Sequence, residues 1–209
     1  MAFMKLEHSH SVEAISERLA QDHKPNYLRD WIYGGIDGAV TTFAIVAGVV
    51  GANLSSSVII VLGLANLLAD GFSMAAGNYS GTKAETDDVQ RIREIEKRHI
   101  ALAPEGEREE IRQILQAKGL TGETLEESVA AITADEDRWI DTMLIEEYGM
   151  SPTVRSAVKS ATSTFFAFLL CGAVPLLPFL VTIENAFVWS TVLTGAVFFA
   201  IGSAKSRWS

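Results

Sequence analysis

Residues 57–77 read SVIIVLGLANLLADGFSMAAG, and the chain runs on through residues 78–99 as NYSGTKAETDDVQRIREIEKRH. The first stretch carries one charge, Asp70, in 21 residues. A helix rises 1.5 Å per residue, so about 20 such residues cross a hydrocarbon core of about 30 Å. The second stretch is charged, and nothing between Gly81 and His99 breaks a helix. One long helix is therefore expected, apolar at its start and water-exposed at its end. This reading sets the fold class: all-α, a multi-pass transmembrane bundle with a helical insert.

Outward from this stretch lie three more apolar runs, from about Trp31 to Ala52, Ala157 to Val181 and Ala186 to Ala204. A buried helix of a soluble bundle keeps one polar face; these runs carry almost no charge. Four spans follow. Lys24 and Arg29 precede the first span, Lys83 follows the second, Arg155 and Lys159 precede the third, and Lys205 and Arg207 follow the fourth. The two opposite loops carry only Glu184. By the positive-inside rule both termini and the insert are expected on the cytoplasmic side. The chain divides into a cytoplasmic N-terminal amphipathic segment (1–30), spans one and two (31–80), a cytoplasmic acidic helical metal-binding domain (81–151), and spans three and four (152–209).

Composition agrees with that division. The mean hydropathy is +0.21 although the net charge is −9. Residues 84–150 hold 18 acidic against 8 basic side chains, a net of −10, and the remainder nets +1. An acidic segment of this kind disfavours nucleic acid and favours cations as partners. Cys171, the single cysteine, lies in an apolar run, which excludes an intramolecular disulfide and a thiolate metal site. Residues 1–30 lack the apolar core of a secretory signal. Val12, Ile15 and Leu19 share one face of a short helix opening at Ser11, which is expected on the membrane surface or against the insert. His8, His10 and His23 near it read as solvated tail residues. The insert is punctuated by Pro104, Gly119, Gly149 and Pro152. Within it Thr133-Ala-Asp-Glu136 reads as a capping box.

Two groups of residues carry chemistry. Asn66, Asp70, Met74 and Asn78 recur every four residues and form a polar stripe on span two. Beside it Ala65, Ala69, Ser73 and Gly77 form a small-residue row. Ala44, Gly48 and Ala52 do the same on span one, so these two rows are expected to pack together. Asp37 and Asp70 lie at similar depth, roughly 9–12 Å from the basic side. An intramembrane carboxylate is costly and marks a cation or proton route. In the insert, Glu96 and His99, Glu107 and Glu110, and Met143 and Glu147 with Glu146 adjacent, pair at helical spacing. Carboxylate with imidazole suits Fe(II), Mn(II) or Zn(II). A soluble ferritin-like di-iron protein needs two Glu-x-x-His helices, and only Glu96-x-x-His99 is present.

The segments Gly35-Ile-Asp-Gly-Ala-Val-Thr-Thr-Phe-Ala and Leu68-Ala-Asp-Gly-Phe-Ser-Met-Ala-Ala-Gly-Asn-Tyr, with the Glu-rich insert after them, resemble the vacuolar iron transporter family over roughly residues 28–209. The resemblance implies a homodimeric transporter, not an enzyme, in a bacterial inner membrane or a vacuolar membrane. It would move Fe(II), and often Mn(II), out of the cytoplasm in exchange for protons, with no permanently bound cofactor. It implies Asp37 and Met74 as the pathway at the dimer interface, to which the polar stripe adds Asn66 and Asp70. It further implies Glu96, Glu107, Glu110, Met143 and Glu147 as insert ligands. His99 stands where the family has a second Glu, and Asn78 where members often carry Glu. The family has five spans, whereas this sequence shows four and is expected to lack the last. A membrane-anchored iron buffer or sensor is the alternative function.

Overall fold

A computed structural model describes residues 9–20 and 25–208; His8, His23 and Lys24 lie outside them. The described residues form helices and no strand. They are α1 (Val12–Ala20), α2 (Leu28–Gly51), α3 (Ser56–Leu102), α4 (Pro104–Ala117), α5 (Gly122–Thr133), α6 (Glu136–Glu146), α7 (Ala157–Ala173), a 3₁₀ turn (Val174–Leu176), α8 (Leu177–Leu180) and α9 (Ala186–Trp208). Four stretches are long and apolar enough to cross a membrane: α2, the first half of α3, α7 through α8, and α9.

The local signals explain the boundaries. Asn26 Oδ1 accepts from the Leu28 amide at 2.7 Å, so span one starts three residues before its apolar run. It closes at Asn53, whose φ of 55° lets the Leu54 amide reach back to Val49 O at 3.1 Å. The 47-residue α3 is unbroken, as its lack of breakers requires. Pro104 occupies the first turn of α4, where its missing N–H costs nothing. Gly119 and Gly149, with φ of 95° and 65°, follow the ends of α4 and α6.

One expectation is corrected here. Thr133 does not cap α6: it is the last residue of α5, and Asp135 Oδ1 instead accepts the Arg138 amide at 2.8 Å. Thr133 still belongs to the end of α5, and the short Asp135 carboxylate stands two residues closer to α6. Span three is not one regular helix. Pro175 and Pro178 remove two backbone donors, and the helix passes through a 3₁₀ turn that contains Pro175. Buried Ser190 of α9 donates to Pro175 O at 2.8 Å and fixes span four against this break.

Span packing departs from the small-residue rows. Ala44 and Gly48 on α2, Ala52 just past its end, and Ala65, Ala69, Ser73 and Gly77 on α3, are exposed, and a Cβ on Gly48 or Gly77 would meet open space. Close approach is made by Gly34 and Gly38 of α2 on α7, where a Cβ would run into the carbonyls of Thr164 and Phe168. Gly172 answers them against Gly38 O. Small residues permit contact without compelling it. Larger side chains decide it here: Val46, Val49, Ile59, Leu67, Phe168, Leu176 and Phe179 bury together, with α7 and α8 filling the space between α2 and α3.

The insert has its own core. Ile111, Leu125, Val129, Trp139 and Met143 form one cluster, and Ile92, Ile140 and Leu144 form another against α3. Arg93 pairs with Asp141 across α3 and α6, and Arg112 pairs with Glu126 across α4 and α5 at 2.9 Å. Helix α1 opens with Ser11 Oγ accepting the Ala14 amide at 3.2 Å and buries none of its residues.

Candidate metal centre

Glu96 and His99 stand one turn apart near the end of α3. Pro104 turns the chain back immediately, so α4 brings Glu107 onto them. His99 Nδ1 lies 3.3 Å from Glu107 Oε1 and 3.9 Å from Glu96 Oε1. One ligand atom from each of the three residues falls within 4.8 Å of the other two. The two carboxylates are buried, Glu96 at 1% exposure and Glu107 at 5%, while His99 is exposed. Tyr148 donates its hydroxyl to Glu96 Oε1 at 3.0 Å. Glu96 Oε2 and Glu107 Oε2 are buried and accept no hydrogen bond from the described residues.

Such an arrangement is costly unless something supplies positive charge, because an unpartnered buried carboxylate loses its hydration. Several basic side chains of the insert pair with other acids: Arg93 with Asp141, Arg112 with Glu126 and Glu109, Lys118 with Glu146 at 2.6 Å. The cost shows in the acidities. Burial, then the charges of Glu110, Glu96 and Glu147, push Glu107 up to about 7. Burial and the same acidic neighbours, Glu110 first, raise Glu147, and burial followed by Glu96 raises Tyr148. Two buried carboxylates and an imidazole open to water form an oxygen and nitrogen donor set for a divalent cation.

Of the candidates in the insert, Glu96, His99 and Glu107 converge, and Glu110 and Glu147 are exposed at the electrostatic border of the cluster. Glu146 is held by Lys118. Met143 is fully buried in the insert core, one turn before Glu147. Tyr148 escaped the sequence reading; its place after Glu147 was visible, its contact across 52 residues was not.

In the spans, a cavity of about 660 Å³ is lined by Asp30, Asp37, Met74, Asn78, Glu85 and Arg155, among others. Asp37 is half-buried on it, and Met74 also packs against the span core. Asp70 is exposed on the outer face of α3, close enough to Asp37 for their charges to interact. Asn66 bridges the helices, donating to Thr41 Oγ1 at 3.2 Å and Thr42 Oγ1 at 3.4 Å. Asn78 is likewise engaged, donating to Thr164 Oγ1 at 2.6 Å and Asp30 Oδ1 at 3.0 Å. Asp30 and Arg155, ion-paired beside it, were not singled out as a site.

The profile of the VIT family matches residues 28–209. The chain is 32% identical over 208 residues to "Vacuolar iron transporter 1" of Arabidopsis thaliana, covering 95% of this chain and 83% of that protein. It is 33% identical over 221 residues to "Vacuolar iron transporter" of Toxoplasma gondii, covering 95% and 72%. It is 34% identical over 185 residues to "Vacuolar iron transporter 2" of Oryza sativa subsp. japonica, covering 87% and 75%. With four membrane-length helices, a match over nearly all of them, and relatives this similar along most of both chains, the protein belongs to the VIT family.

Proposed function

We propose that the protein carries Fe(II), with Mn(II) as a second substrate, across the membrane and out of the cytoplasm in exchange for protons. The observation that carries this reading is the pair of buried, unpartnered carboxylate oxygens of Glu96 and Glu107 beside His99. The names of the relatives support iron as the ion. The insert, on the cytoplasmic side with both termini by the charge rule, collects the ion on Glu96, His99 and Glu107. Glu110, Glu147 and the Met143 thioether complete the site. Asp37 and Met74 then receive the ion in the span cavity, and protons returning the other way occupy the same carboxylates, because ligation requires them ionised.

A homodimer fits the exposed small-residue rows of α2 and α3. Their side chains allow close backbone approach between membrane helices, and Asp70 sits on that surface.

The test is flux in proteoliposomes. Anaerobic Fe(II) uptake should respond to an imposed pH gradient, and Asp37→Ala should abolish it while leaving metal binding intact. Binding without flux in the unaltered protein would replace transport by the reading of a membrane-anchored iron buffer.

A further inference from the structure

Arg155 stands between two cavities. The larger is the span cavity holding Asp37 and Met74; the other, about 320 Å³, lies beside the insert and is lined by Thr86, Asp88, Met150 and Thr153. Thr82, Glu85 and Arg155 line both. The Arg155 guanidinium is fixed from several sides. Nη2 bonds Asp30 Oδ2 and also Ser160 Oγ at 3.0 Å, and the group stacks over the Tyr27 ring at 5.5 Å. Its backbone carbonyl accepts from Thr86 Oγ1 of α3 at 3.3 Å.

Asp30 is 4% exposed. Its Oδ1 accepts from Asn78 at 3.0 Å, and its Oδ2 accepts from Ser160 Oγ at 3.3 Å beside the guanidinium. Asp30 is therefore buried, Arg155 is partly exposed, and the oriented pair is set in the wall of the space an ion would cross between the insert and Asp37. Without the guanidinium that space would contain three carboxylates, Asp30, Asp37 and Glu85, against Arg29 on the exposed rim.

We propose that Arg155 is a tethered counter-cation: it occupies Asp30 so that a divalent ion moving from the insert to the Asp37–Met74 seam meets no buried acidic trap on the way. The proposal rests on the transport reading above. A transported ion must be bound weakly enough to leave each station. A carboxylate freed in the cavity would hold the ion as a ground state and slow the passage, lowering KM and kcat together. Arg155 is a positioning residue in this scheme, acting on the ion through Asp30.

The experiment uses full-length protein in proteoliposomes with Co(II) as the probe and a trapped metal-sensitive dye. Arg155→Gln should lower KM and kcat each by about tenfold, equivalent to about 1.4 kcal/mol. Arg155→Lys should keep near-original values, and Asp30→Asn/Arg155→Gln should recover them. Asp30→Asn alone leaves an uncompensated guanidinium and should raise KM, the opposite sign, which also provides a reading if Arg155→Gln does not fold. A merely structural pair would lose kcat in every variant without any fall in KM, and that result overturns the proposal.

Equilibrium titration supplies the second arm. In a Glu96→Ala/Glu107→Ala background, Arg155→Gln should gain one Co(II) site that Asp30→Asn/Arg155→Gln lacks. No gained site, or one that survives Asp30→Asn, overturns the assignment. Absence of Co(II) flux in the unaltered protein would instead remove the transport reading, and the titration would still decide the role of Arg155.

Discussion

Replacing Glu107 by glutamine keeps the shape of the buried carboxyl and removes its ability to ionise, so it separates the charge of the cluster from its geometry. In the native protein Glu107 is pushed from an ordinary 4.5 up to about 7. A divalent ion binding at pH 5.5 must displace a proton held there, at about 1.4 kcal/mol per pH unit below that value, or roughly 2 kcal/mol. Affinity at pH 5.5 should therefore be roughly thirtyfold weaker than at pH 8 on account of Glu107 alone. Glu147, raised by burial and by Glu110, adds a slope of its own, common to both proteins. The ratio of native to Glu107→Gln affinity should thus shrink by about thirtyfold between pH 8 and pH 5.5. Co(II) titration calorimetry on the full-length protein at a series of pH values measures it.

The metal-free protein gives an independent check with a definite sign. An acid whose folded value is raised costs nothing below about pH 4.5 and progressively destabilises the fold as pH rises to about 7. Glu107→Gln removes that cost. At pH 8 it should stabilise the metal-free insert by at most about 3 kcal/mol, less to the extent that water screens the open side of the cluster. At pH 4 it should have no such effect. Amide exchange of α4 and α6 at the two pH values reads this. An affinity ratio independent of pH, or equal stabilisation at pH 4 and pH 8, would refute the account of Glu107.

Asp37→Asn should abolish metal flux in proteoliposomes while Co(II) binding to the insert stays within about threefold, since the two lie in separate parts of the chain. Gly38→Ala should lower the detergent-solubilised protein's stability by about 1–3 kcal/mol because its Cβ meets the Phe168 carbonyl, whereas Gly202→Ala on α9, facing open space, should be neutral in the same melt. Met143→Leu should keep the insert folded within about 1.5 kcal/mol and Met143→Ala should lose about 2–5 kcal/mol, while both weaken Co(II) affinity through loss of the thioether.

The helix plan is legible in the sequence because its signals are local. Apolar length marks the spans, Pro104 and Gly119 punctuate the insert, and the absence of breakers after Gly81 predicts the continuous α3. What escapes reading is set by contacts between distant residues. The Asp30–Arg155 pair spans 125 positions, and neither residue belongs to a pattern that announces the other. Several helix faces carry small residues at the right spacing, so the sequence does not tell that Gly34 and Gly38, rather than Gly48, meet a neighbouring backbone. Among the 18 acids of the insert, spacing proposes many pairs. Burial selects two, and burial depends on how α4 folds back over α3. Glu146 shows the opposite outcome: it has the same local spacing argument, and Lys118, 28 residues away, claims it.

The unbroken α3 also fixes a phase relation. Met74, Glu85 and Glu96 are spaced by 11 residues, about 16 Å and three helical turns apart. An 11-residue step returns to nearly the same angular position on a straight helix, slipping only about 20°. The seam, one of the residues lining both cavities and the metal cluster thus lie along one side of a single rod, like marks on a ruler. Inserting or deleting one residue between them would turn the cluster by about 100° away from the seam while leaving every site residue in place.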